Sequence, residues 1–73
     1  MLLSELPIGS SAKIQGLRAR DKQRRRLLDL GFIPGTTVMA KRKSPSGDPI
    51  AYLIRGTLLA LRKEETDLIT VTC

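Results

Sequence analysis

The run Arg24-Arg25-Arg26-Leu27-Leu28-Asp29-Leu30-Gly31-Phe32-Ile33-Pro34-Gly35 allows this chain one short helix with a fixed end. Leu27 and Leu30 are three residues apart and share a helical face, whereas the arginines before them have no apolar stripe to bury. Gly31 suits the left-handed position just past the helix, which places Phe32 one residue further, in reach of Leu27. Ile33-Pro34-Gly35-Thr36 then reads as a type II turn, with Pro fixing φ at its second position and Gly accepting positive φ at its third. At the other end Asp21 is the expected cap, its carboxylate accepting backbone N–H bonds and suiting the positive end of the dipole. The predicted helix covers residues 21–30.

Everything else reads as strand and turn. Residues 12–17 alternate, with Ala12 and Ile14 on one face, and Gly16 marks a bulge or a close backbone approach. Residues 36–43 alternate more loosely and point Val38 and Ala40 inward. Ser44-Pro45-Ser46-Gly47-Asp48-Pro49 is a loop. Residues 50–54 and 57–62 form two strands joined tightly at Gly56. Residues 63–67 are polar and short enough for a turn or one 3₁₀ turn, and the β-branched residues 68–72 form a last strand. Five strands and one helix between the first and second suggest a mainly β domain, a small partly open barrel. Its expected core takes Ile14 and Leu17 from the first strand, Leu27 and Leu30 from the helix, and Val38 from the second strand. Ile54, Leu59, Leu61, Ile69 and Val71 complete it.

Such a fold must rest on apolar burial. The chain has 73 residues, 41% of them hydrophobic, no histidine, and a single cysteine at Cys73. That is one domain, residues 1–73, near the lower size limit for an unstapled core. No internal disulfide can form and no zinc site can be assembled, so neither a metal nor a cofactor is expected. Acid–base or nucleophilic catalysis lacks its residues, and no GxxxxGK[ST] stretch exists to cradle phosphates. The expectation is a non-enzymatic binding module. No apolar run reaches the ~18 residues of a membrane span. The opening residues do not resemble an export signal, so a soluble cytoplasmic protein is expected.

At this point the residues resemble a known family. Leu28-Asp29-Leu30-Gly31-Phe32-Ile33-Pro34-Gly35 is similar to the signature of the FeoA family of ferrous-iron transport accessory proteins. Pro45-Ser46-Gly47-Asp48-Pro49, Leu61-Arg62 and Leu68-Ile69-Thr70-Val71 recur in that family in the same order, and Leu6-Pro7-Ile8-Gly9 fits its opening. The resemblance implies an SH3-like barrel of about five strands with an inserted helix. It also implies a cytosolic partner of FeoB, a membrane ferrous-iron transporter with a cytosolic G-protein domain. Through that partner the protein would work at the inner face of the membrane.

Net charge is +6, which suits an acidic protein surface, an anionic membrane or nucleic acid. Phe32 and Tyr52 are the only aromatics, too few for a base-stacking platform, so a nucleic-acid-binding barrel stands as the alternative. Arg24 and Arg25 are the expected exposed rim of a partner-binding groove, with Arg25 also able to pair with Asp29. Leu17, Leu27, Phe32 and Leu58 are its expected apolar wall. Lys41 and Lys43 should share a solvated face, with Arg42 opposite. Glu64, Glu65 and Asp67 read as surface, since selective ferrous iron binding would call for imidazole or thiolate as well. A weak homo-oligomer would add stability to so small a domain.

Overall fold

The computed structural model describes residues 1–72. Cys73, the single cysteine, lies outside them. Five antiparallel strands form one sheet: β1 (Ser11–Leu17), β2 (Thr37–Lys43), β3 (Ile50–Ile54), β4 (Thr57–Leu61) and β5 (Ile69–Thr72), in the order β4-β3-β2-β1-β5. Helix α1 (Asp21–Asp29) stands between β1 and β2, and the single turn α2 (Lys63–Thr66) carries the chain from one edge of the sheet to the other. The edges β4 and β5 do not pair, so the barrel stays partly open there. One core nevertheless spans the sheet, drawing Ile14, Val38, Ile54, Leu61 and Ile69 from the five strands.

The helix ends as its residues require. Leu30 is the C-cap, Gly31 adopts φ +106°, and the Gly31 N–H donates to Leu28 O at 3.0 Å. The Phe32 N–H reaches Leu27 O, also at 3.0 Å, which completes a Schellman closure. Gly35 has φ +93° and the Thr36 N–H donates to Ile33 O at 3.0 Å, the expected type II turn. That turn is held to β1, since Gly35 N donates to Ile14 O and Ile14 N to Thr36 O. The helix start differs from expectation. Arg20, not Asp21, is the N-cap, and it makes no side-chain cap. Asp21 is the first helical residue with φ +54°, a left-handed conformation that Asp tolerates better than most residues because its short side chain bonds locally.

Gly16 lies at a β1 bulge: the β5 register shifts between Ile14 and Gly16. A second shift between Ala40 and Arg42 breaks the alternation of β2. Lys41 and Lys43 therefore do not form a simple shared face: Arg42 lies opposite Ala51, and Lys43 opposite Ile50. Arg55 and Gly56, both at positive φ, form the two-residue turn between β3 and β4.

The first residues do more than lead in. Leu3 and Leu6 belong to the core, and Leu3–Glu5 form a 3₁₀ turn. Met1 and Val71 exchange backbone bonds of 3.1 and 2.8 Å, and Leu2 bridges Thr70, so this segment covers the outer edge of β5.

Candidate functional site

Charge sets the surface apart before any pocket does. Residues 18–26 hold Arg18, Arg20, Lys22, Arg24, Arg25 and Arg26 against the single carboxylate of Asp21. Helix α1 displays Lys22, Arg24, Arg25 and Arg26 because its apolar stripe is narrow; of its own residues only Leu27 is buried. Arg24 and Arg25 are exposed and take part in none of the ion pairs among the described residues. The expected Arg25–Asp29 pair does not form. An arginine placed one turn before its carboxylate is the weaker helical order, running against the dipole. Arg26 instead joins Glu65 of α2 and ties the two helices together.

Of the three carboxylates expected at the surface, Glu64 is exposed, whereas Glu65 and Asp67 are half-buried in contacts that hold the fold, as is Asp48. Asp48 in the β2–β3 loop accepts the Lys63 backbone N–H at 2.9 Å and lies 3.5 Å from the Arg62 guanidinium, docking that loop on the entry to α2. Asp67 accepts from the Ser4 hydroxyl and from Lys63 Nζ at 3.0 Å. The Ser4 hydroxyl first, and Lys63 second, hold its carboxyl below the ordinary 3.8. No group of three His, Cys, Asp or Glu among the described residues could hold a metal ion.

Of the expected groove wall, Leu27 and Phe32 are both 0% exposed. They lie in the core beneath the helix end, because the Schellman closure folds Phe32 under Leu27. Leu17 is half-buried at the end of β1, opposite Ile69 and packed against the core. Leu58 is 46% exposed on the outward side of β4, opposite Leu53. The structure thus keeps Arg24, Arg25 and Leu58 at the surface, leaves Leu17 partly reachable, and does not bring the six residues into one groove. Cross-strand register adds what the sequence reading missed: Met39 and Leu53 pair across β2 and β3, and Leu53 pairs with Leu58, giving an outward apolar row. A cavity of about 210 Å³ lies elsewhere, between Ser4, Asp48, Lys43 and Thr66.

The model for the FeoA domain matches residues 1–73. The chain belongs to the FeoA domain family. Among solved FeoA structures, that from Chlorobium tepidum is 42% identical, with a TM-score of 0.89 over 97% of this chain and 68% of that one. FeoA from Stenotrophomonas maltophilia, solved with zinc, is 37% identical with a TM-score of 0.88, covering 99% of this chain and 89% of that one. It is described as a procaryotic SH3 domain protein and a candidate ferrous iron transport activating factor. The five-stranded fold found here is the same SH3-like architecture. A curated relative from Porphyromonas gingivalis is an Fe(2+) transport protein A/Fe(2+) transporter FeoB fusion protein, 37% identical over 71 residues. This chain is covered to 97% but spans only 8% of that relative's length. No helix among the described residues is long and apolar enough to cross a membrane.

Proposed function

We propose that this protein is a non-enzymatic accessory factor of ferrous iron uptake, a single domain over residues 1–73. It acts in the cytosol by binding an FeoB-type transporter at the inner face of the membrane. The observation that carries this reading is the relative in which an FeoA segment and the FeoB transporter are one polypeptide. Fusion holds two domains at a local concentration on the order of millimolar, which serves a pair that works in contact. As a separate chain, the FeoA domain would need surface affinity to achieve the same.

The basic run at residues 18–26 supplies a surface for an acidic partner, with Arg24 and Arg25 unpaired at its centre. Leu17 and Leu58 offer apolar contact, while Leu27 and Phe32 hold the helix end from beneath. Binding would bias uptake only through different affinities for different transporter states. Capture of the protein on detergent-solubilised FeoB-type transporter tests the reading. The charge reversal Arg24→Glu/Arg25→Glu should slow association and weaken capture about tenfold at low salt, with less effect at high salt. Unchanged capture would remove the helix from the contact. Failure of the unaltered protein to be captured would overturn the function itself.

A further inference from the structure

The two edges of the sheet are treated differently. On β5 the outer edge is covered by Met1 and Leu2. On β4 nothing corresponds. Thr57–Leu61 pair with β3 in an unbroken five-residue register and make no other backbone hydrogen bond among the described residues. The strand also carries none of the usual guards: Thr57-Leu58-Leu59-Ala60-Leu61 has no charge, no proline and no bulge. Leu58 and Ala60 face outward and are exposed. An open, unbulged, apolar edge of this kind is a template for pairing with another strand.

We propose that the β4 edge receives an extended segment of an acidic partner, which adds to the sheet as a sixth strand. Main-chain bonds to β4 would hold the segment, and alternate side chains would lie over Leu58 and Ala60. Charge selects the occupant. Arg55 stands unpaired at one end of β4, Arg62 stands at the other beside Asp48, and Arg42 lies on the same outward face, opposite Ala51. Acidic residues flanking a short apolar-alternating stretch match that frame. A second copy of this chain does not, because antiparallel pairing of two β4 strands would set Arg62 of one copy beside Arg55 of the other. The proposal holds whichever protein carries the segment, and does not rest on the transporter reading.

The test uses three synthetic peptides with the full chain. One has the core Val-Thr-Val-Thr-Val between pairs of glutamates, one has lysines in place of the glutamates, and one has proline at the centre of the acid-ended core. Backbone amide NMR with hydrogen exchange should show the acid-ended peptide slowing exchange within Thr57–Leu61. The lysine-ended peptide should bind about tenfold more weakly and the proline peptide should not protect the edge. The variant Leu58→Glu/Ala60→Glu places on outward positions only a charge that repels the acid-ended peptide, so it keeps the fold and should lose the effect. Absence of β4 protection, equal binding of the two charge types, or shifts centred on α1 would each overturn the proposal. So would β4 protection that needs only a higher protein concentration, since the occupant would then be a second copy.

Discussion

Gly16 sits at the β1 bulge and Gly31 just past the end of α1, and their backbones ask for different things. At Gly31 φ is +106°, which an L side chain adopts at a cost, and an added Cβ would also stand 3.4 Å from Arg55 Cδ. Gly31→Ala should therefore destabilise by about 1–2 kcal/mol, measured by denaturant unfolding. At Gly16 there is no positive φ, and an added Cβ would meet only the Thr70 hydroxyl at 3.5 Å, an ordinary contact. Gly16→Ala should be neutral or slightly stabilising, because it restricts the unfolded chain more than it disturbs the folded one. A large loss at Gly16 would contradict this account of the bulge. Tyr52 poses the opposite problem. Its hydroxyl is fully buried and finds no hydrogen-bond partner, and burial pushes the phenol above its ordinary value of 10.0. The Thr66 hydroxyl stands near enough to pull slightly the other way, but it donates to the Lys63 carbonyl at 3.2 Å and falls short of a hydrogen bond to Tyr52. Tyr52→Phe removes an unsatisfied polar atom without changing the packing shape, so it should raise unfolding stability by about 1 kcal/mol. A loss of that size would mean the hydroxyl is satisfied after all.

At the level of elements, what the sequence made legible was local. The end of α1 could be read because Gly31, Phe32 and Pro34-Gly35 each answer to a backbone angle or to a partner a few residues away. The strands were legible from alternation and turn residues, and all five are present. The start of α1 was less legible. Asp21 is a good cap by type, but the chain entering from β1 puts Arg20 at that position. Residues 63–66 form one α turn, close to the single turn expected. The candidate groove did not come together although that closure was legible: Leu27 stood both in the expected core and in the expected wall, and the closure that sets Phe32 against Leu27 turns both inward. The outward row of Met39, Leu53 and Leu58 depends on registers across three strands, and the β2 shift after Ala40 hides those registers from any alternation count.

The whole molecule is closed by contacts between its two ends, and these have a signature in pH. Leu3 and Leu6 fill the core from the first residues, and Ser4 fastens that segment by donating its hydroxyl to Asp67 just after α2. A domain of this size has a stability of about 4–11 kcal/mol, so a single fastening is a measurable share. Because the Asp67 carboxyl is held below 3.8 in the folded state, folding favours its ionised form. That contribution is complete above the unfolded value of 3.8 and is lost as pH falls through the lower folded value. Asp67→Asn gives up the charge-assisted bonds from Ser4 and Lys63 at every pH. The stability gap between the unaltered protein and Asp67→Asn should therefore hold level above about pH 5 and narrow below about pH 3. Denaturant unfolding at both acidities measures it. A gap that stayed constant into acid would show that the Ser4 hydroxyl does not act on the charged form of Asp67, leaving the two ends of the chain joined by the Met1–Val71 backbone bonds and by apolar burial.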